Sequence, residues 1–101
     1  MKEIIDILQK NNIICKKLQE INLNTKKKIR AFLGVNIKNE YCLIVAFYKK
    51  SRFLSKDIET LKEIENIAKI NFRYKKKILI LNGEICSKAK EKLKEWRIFW
   101  F

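Results

Sequence analysis

The chain has 101 residues, the length of one packing unit, and its 48% hydrophobic and 35% charged residues make a globular composition and not a disordered one. Lys and Arg number 24 against 11 acidic residues, a net charge of +13 that is shared by both halves of the chain and does not form a basic tail. With no histidine and only two glycines, Gly34 and Gly83, the sequence excludes Ser-His-Asp and Cys-His hydrolysis, histidine ribonuclease chemistry, zinc deamination and the glycine-rich phosphate loops.

Residues 2–20 read as a first helix, with Ile4, Ile5, Leu8, Cys15 and Leu18 near a stripe of helical period that Asn11-Asn12 interrupts. Residues 21–25 are a connector, or at most one short edge strand. KKIRAFLGVN at 27–36 and EYCLIVAFY at 40–48 are rich in β-branched and aromatic residues, and Ile37-Lys38-Asn39 between them predicts a tight hairpin. The run CLIVAF predicts a central strand buried on both faces. Ser55 or Asp57 can cap a helix to Asn71 whose apolar face is Ile58, Leu61, Ile64, Ile67 and Ala68. KKILIL at 76–81 is a short buried strand ended by Asn82-Gly83. Ser87 caps a further helix with Ala89, Leu93 and Trp96 on one side, and RIFWF at 97–101 closes the chain as a strand. The order helix, hairpin, helix, strand, helix, strand predicts a single α/β domain over residues 1–101. Its mixed sheet joins an antiparallel hairpin to parallel, right-handed crossover strands under flanking helices.

This topology sorts the charge. The start of the first hairpin strand (Lys26, Lys27, Lys28, Arg30) meets the end of the second (Lys49, Lys50, Arg52) at one sheet edge. Lys56 follows, and the parallel crossover brings Ser87 and Lys88 to the same edge, while Arg73, Lys75, Lys76 and Lys77 fall at the opposite one. Lys26, Lys27, Lys28, Arg30, Lys49, Lys50, Arg52, Lys56 and Lys88 are therefore the expected contacts to a nucleic-acid backbone, DNA or RNA. Lys occurs 20 times and Arg four, a bias that AT-rich codons explain in part. Few Arg residues, the bidentate readers of guanine, predict little sequence preference.

Cys15, Cys42 and Cys86 are odd in number and form no CxxC pair, so the expectation is small buried hydrophobes in a reducing cytosol, with neither disulfides nor zinc. No run reaches the roughly 18 apolar residues of a membrane span, and MKEIIDILQKNN carries Glu3 and Asp6, unlike a signal peptide. The expected location is cytoplasmic, with no membrane partner.

From about residue 28 onward the sequence resembles the restriction-endonuclease-like, PD-(D/E)xK superfamily. That pattern is a strand carrying G-x-D, a hairpin, a strand carrying E-x-K, a helix, an apolar strand with a turn, a helix and a last strand. Gly34-Val35-Asn36 occupies the G-x-D place, YCLIVAFYKKSRFLSKDIETL the E-x-K strand and the loop beyond it, and KKILILNGEICSKAKEKLKEWRIFWF the closing strand–helix–strand. The first strand of the family's three-strand meander is short or missing. The resemblance implies that Asp and Glu hold a divalent metal and that Lys helps activate the attacking water. Here Asn36 stands in the Asp place. The E-x-K frame is either Val45-Ala46-Phe47, without both charged residues, or Phe47-Tyr48-Lys49, which keeps only the Lys. Glu40, Asp57, Glu59 and Glu84 fall at a hairpin tip, a helix start and a loop.

The expectation is a catalytically inactive nuclease fold, with no catalytic residue, metal or cofactor, that binds nucleic-acid backbone with little sequence specificity. One alternative is a protein–protein interaction module or homodimer built on the C-terminal edge strand, with Trp96, Phe99, Trp100 and Phe101 as anchors. The other is a divergent metal nuclease using Asp57 and Glu84.

Overall fold

The computed structural model describes residues 2–23 and 28–101. In chain order they form α1 (Lys2–Lys10), β1 (Cys15–Ile21), β2 (Ile29–Asn36), β3 (Tyr41–Phe47), α2 (Ser55–Asn71), β4 (Lys76–Leu81), α3 (Ser87–Lys92) and β5 (Trp96–Trp100). The strands lie in the order β1-β2-β3-β4-β5 in one mixed sheet. β1, β2 and β3 are an antiparallel meander, and β4 and β5 add in parallel through the α2 and α3 crossovers. The α/β class, the hairpin and the two parallel strands follow the sequence expectation.

The first helix does not. It stops at Lys10, where Asn12 takes a left-handed φ of 63° and the Asn11 side chain donates to the Ile7 carbonyl at 2.8 Å. Residues 15–20, expected to continue the helix, are instead part of a seven-residue strand, Cys15–Ile21, paired to β2, so the first meander strand is present. The misreading has a physical cause. Cys15, Leu18 and Ile21 recur every third residue and imitate a helical stripe, but the register shifts between Cys15 and Lys17. That irregularity lets Cys15 and Leu18 share one sheet face, while Ile21 packs on the other.

α1 lays Ile4, Ile7 and Leu8 over Phe32, Cys42, Ile44, Ala46, Ile78, Ile80 and Phe99 on one face. α2 and α3 cover the other with Ile58, Leu61, Ile64, Ala68, Ala89 and Leu93, against Ala31, Leu33, Leu43, Val45, Phe47, Leu79 and Leu81. Every β3 residue from Cys42 to Phe47 is buried, as a strand covered by helices on both faces requires. Ile5 and Ile67, assigned to apolar stripes by periodicity, face outward.

The cap positions lie one residue before the expected Ser55 and Ser87, while Asp57, the other candidate for α2, closes that helix start with its side chain. α2 starts after Leu54, whose backbone N–H donates to the Asp57 carboxylate at 2.8 Å. α3 is capped by Cys86, whose Sγ accepts from the Ala89 N–H at 3.4 Å, and not by Ser87. No helix among the described residues is long and apolar enough to cross a membrane.

Candidate nucleic-acid interface

Strand direction decides which side chains share an end of the sheet. Ile29 pairs with Phe47, Phe47 with Leu81, and Leu81 with Trp100. The start of β2 and the ends of β3, β4 and β5 therefore lie side by side.

The chain leaving β3 is fixed there. Asn82 Nδ2 donates to the Tyr48 carbonyl at 3.2 Å, the Phe53 N–H to Glu84 O at 2.7 Å, and the Cys86 N–H to Phe53 O at 3.1 Å. Phe53 is buried with its ring edge-on to Phe47, centroids 5.0 Å apart. Gly83 makes this contact possible, since a Cβ on it would lie 2.6 Å from the Lys50 carbonyl oxygen and 2.7 Å from that of Ser51. Lys50 and Arg52 are thus exposed cations on a pinned loop.

On the α2 side of this end lies a cavity of about 610 Å³, lined by Lys28, Ile29, Phe47, Lys49, Lys56, Asp57, Glu59, Thr60 and Glu63. Lys49 Nζ sits 2.5 Å from Asp57 Oδ2. Arg52 reaches Glu84 at 3.3 Å, an exposed pair of little energetic weight. Lys88 is exposed in the first turn of α3, just after the segment that holds the loop.

Arg30 behaves differently from its expected companions. Its side chain lies on the α1 face, over the Phe32 ring at 5.2 Å. It grips Glu20 with Nε to Oε2 at 3.0 Å and Nη2 to Oε1 at 2.5 Å. The fork hydrogen bond to Arg30 draws the Glu20 carboxyl below its ordinary value, and the carboxylate in turn raises the Arg30 guanidinium. Among the expected contacts, Lys28, Lys49 and Lys56 share one cavity, Lys50 and Arg52 are exposed on the loop that follows Lys49, and Arg30 is already paired on the other face. Lys26 and Lys27 lie outside the described residues. Lys75 to Lys77 sit at the opposite end, Lys76 beside Cys42 and Lys77 paired with Glu65 at 2.8 Å and Glu95 at 2.9 Å.

Asn36 is not brought to Lys49. It closes the hairpin at the far end, where its Oδ1 accepts from the Lys38 and Glu40 N–H groups, each at 2.9 Å, and its Nδ2 donates to Glu40 Oε1 at 3.1 Å. Those bonds and the nearby Lys76 pull the Glu40 carboxyl down. The residues opposite Val45 and Phe47 on β2 are Ala31 and Ile29. No group of His, Cys, Asp or Glu with metal-binding geometry occurs among the described residues. Sequence reasoning missed Thr60 and Glu63 as cavity residues. The signal was available, since Asp57, Thr60 and Glu63 recur at a helical spacing on α2.

No family model matches the chain, and no curated protein matches it. A solved structure, EndoMS in apo form, superposes with a TM-score of 0.62 at 17% sequence identity, over 99% of this chain and 45% of that one. The chain thus spans less than half the length of that neighbour. The likeness is one of fold. A three-strand meander extended by two parallel strands, with helices on both faces, is the restriction-endonuclease-like architecture.

Proposed function

We propose that this chain is a single nuclease-fold domain that holds nucleic-acid backbone, DNA or RNA, with little sequence specificity and does not cut it. The observation that carries the reading is the meeting of Lys28, Lys49, Lys50, Arg52 and Lys56 at the end of the sheet where β2 starts and β3 stops. Cations on a fixed scaffold neutralise phosphates and release counterions, so affinity falls with salt by roughly 0.9 log units per log unit for each phosphate neutralised. Support for holding over cutting comes from the β2–β3 pairs on the α2 side. Val45 with Ala31, and Phe47 with Ile29, offer hydrocarbon where Mg²⁺ needs carboxylate oxygen.

Anisotropy of labelled duplex, branched and single-stranded DNA and of RNA, across a salt series, tests the reading. The triple variant Lys49→Glu, Lys50→Glu, Arg52→Glu is expected to lose at least tenfold in affinity. An unchanged affinity, or no binding by the natural chain at low salt, sinks it. Digestion of plasmid and Holliday-junction substrates with Mg²⁺ or Mn²⁺ tests the inactivity. Cleavage abolished by Asp57→Ala or Glu84→Ala makes the chain a nuclease with recruited carboxylates. A second reading, homodimerisation along β5, is favoured by that strand's position at the sheet edge. Sedimentation as a monomer removes it.

A further inference from the structure

The end of the sheet that gathers the cations also carries exposed aromatic rings. Trp100 and Phe101 are 47% and 40% exposed, and Tyr41, a strand aromatic equally exposed at 47%, lies at the opposite end of the sheet. Both are held in place. The Trp100 indole N–H donates to the Gly83 carbonyl at 3.0 Å, and Gly83 is the residue pressed against Lys50 and Ser51. The Phe101 N–H donates to Leu81 O at 3.0 Å, and its ring lies on Tyr48, centroids 5.0 Å apart and tilted by 33°. Tyr48 is the residue directly before Lys49 and Lys50. The aromatic residues are thus tied to the cationic loop indirectly, Trp100 through Gly83 and Phe101 through the Tyr48 ring.

An exposed ring costs hydrophobic free energy that a core position would recover, and one held by its polar edge presents a face ready to stack. Protein interfaces favour Trp and Phe but are depleted in Lys, whereas single-stranded nucleic acid needs both elements together, a π-face for each base and a cation for each phosphate. Duplex DNA offers its phosphates but keeps its base faces stacked. We infer that Trp100 and, on the opposite sheet face at the same end, the Phe101–Tyr48 pair are base-stacking surfaces, and that the preferred ligand is single-stranded nucleic acid whose phosphates follow Lys49, Lys50 and Arg52. This rests on the nucleic-acid reading above and narrows its substrate class.

The test compares fluorescein-labelled oligo-dT, oligo-U and a duplex of equal length by anisotropy. The natural chain is expected to bind the single strands more tightly than the duplex. Trp100→Ala is expected to lower single-strand affinity about tenfold with little change for duplex, matching the loss of one stacked base. Trp100→Phe, which keeps a ring, retains most of the binding, and Phe101→Ala moves in the same direction as Trp100→Ala. Circular dichroism melts of each variant separate lost stacking from lost folding. In a Trp96→Phe background, oligo-dT is expected to quench the emission of Trp100. Equal affinity for duplex and single strands, with Trp100→Ala and Phe101→Ala both neutral while the Lys49, Lys50, Arg52 triple variant fails to bind, overturns the stacking role and leaves the phosphate reading standing. No binding to any probe overturns both. A concentration-dependent dimer that Trp100→Ala dissolves reassigns the rings to a protein interface and overturns the stacking role.

Discussion

One oxygen atom of Asp57 serves two elements. Oδ2 accepts the Leu54 backbone N–H at 2.8 Å, closing the first turn of α2, and lies 2.5 Å from Lys49 Nζ at the end of β3. The helix start and the cationic rim therefore share a carboxylate, and that carboxylate works against anion binding by neutralising one of the three lysines that line the cavity.

Substituting it should separate the two roles. Asp57→Ala removes the N-terminal hydrogen bond and should cost about 1 kcal/mol in a urea melt, as the loss of a helix-start side chain does. Asp57→Asn keeps an acceptor oxygen and should cost less. Lys49 can turn to water, so neither variant leaves a buried orphan charge. Both should tighten nucleic-acid binding at low salt, by releasing Lys49 and removing a negative charge from the rim. Weaker binding by Asp57→Asn, measured by anisotropy, would show instead that the pair positions Lys49.

The two glycines should respond very differently to alanine. At Gly83 the added methyl meets backbone, the Lys50 and Ser51 carbonyl oxygens at 2.6 and 2.7 Å, and neither can yield without moving the loop. Gly83→Ala should lose about 1–3 kcal/mol, as overpacking against fixed atoms does. At Gly34 the nearest atoms are Cys15 Sγ at 3.1 Å and Ile44 Cδ1 at 3.3 Å, both on side chains that can rotate. Gly34→Ala should cost less. Equal urea midpoints for the two variants would mean that residues 48–54 are not held against Gly83.

Acid should weaken the fold partly through Glu20. Its carboxyl is pulled below the ordinary value of 4.5 by the hydrogen bonds from Arg30. A carboxylate depressed in the folded state adds stability that is complete above its unfolded pKa and is lost as pH falls through the folded one. Urea midpoints should therefore fall as pH drops below 4.5, and Glu20→Gln should flatten part of that slope by lowering the midpoint slightly at pH 7 while matching the natural chain at low pH. The pair is exposed, so the effect is small. A Glu20→Gln profile parallel to the natural one would remove the pair from the acid response.

The parts legible in the sequence were those with an unbroken local signal. β2, β3 and β4 announced themselves as β-branched runs between turns, and α2 by its period. The end at which the cations collect followed from strand direction alone, because an antiparallel hairpin must return Lys49 beside Lys28. The face each cation takes did not follow. Arg30 lies one residue from Ile29, and the pleat sends the two side chains to opposite sides, so only the register separates Arg30 from the cavity. β1 was hidden by its irregular register, and the α3 cap because thiols seldom take that position. The G-x-D match at Gly34-Val35-Asn36 was a likeness of letters, since the fold puts Asn36 at the hairpin turn, away from Lys49.

Phe47 explains why a metal site is not one substitution away. It stands at a carboxylate position in one of the two E-x-K frames, yet it is buried and supports the Phe53 ring that anchors the cationic loop. Phe47→Ala should cost about 3–5 kcal/mol, the usual loss for an aromatic core residue. Phe47→Glu should cost at least as much, because it removes the ring that supports Phe53 and buries a carboxylate beside Ile29. Ion binding to a folded state raises its apparent stability by mass action, so Mg²⁺ should leave the Phe47→Glu urea midpoint where it was. A Mg²⁺-dependent recovery in that variant would reveal a latent metal site formed with Asp57 or Glu63 across the cavity.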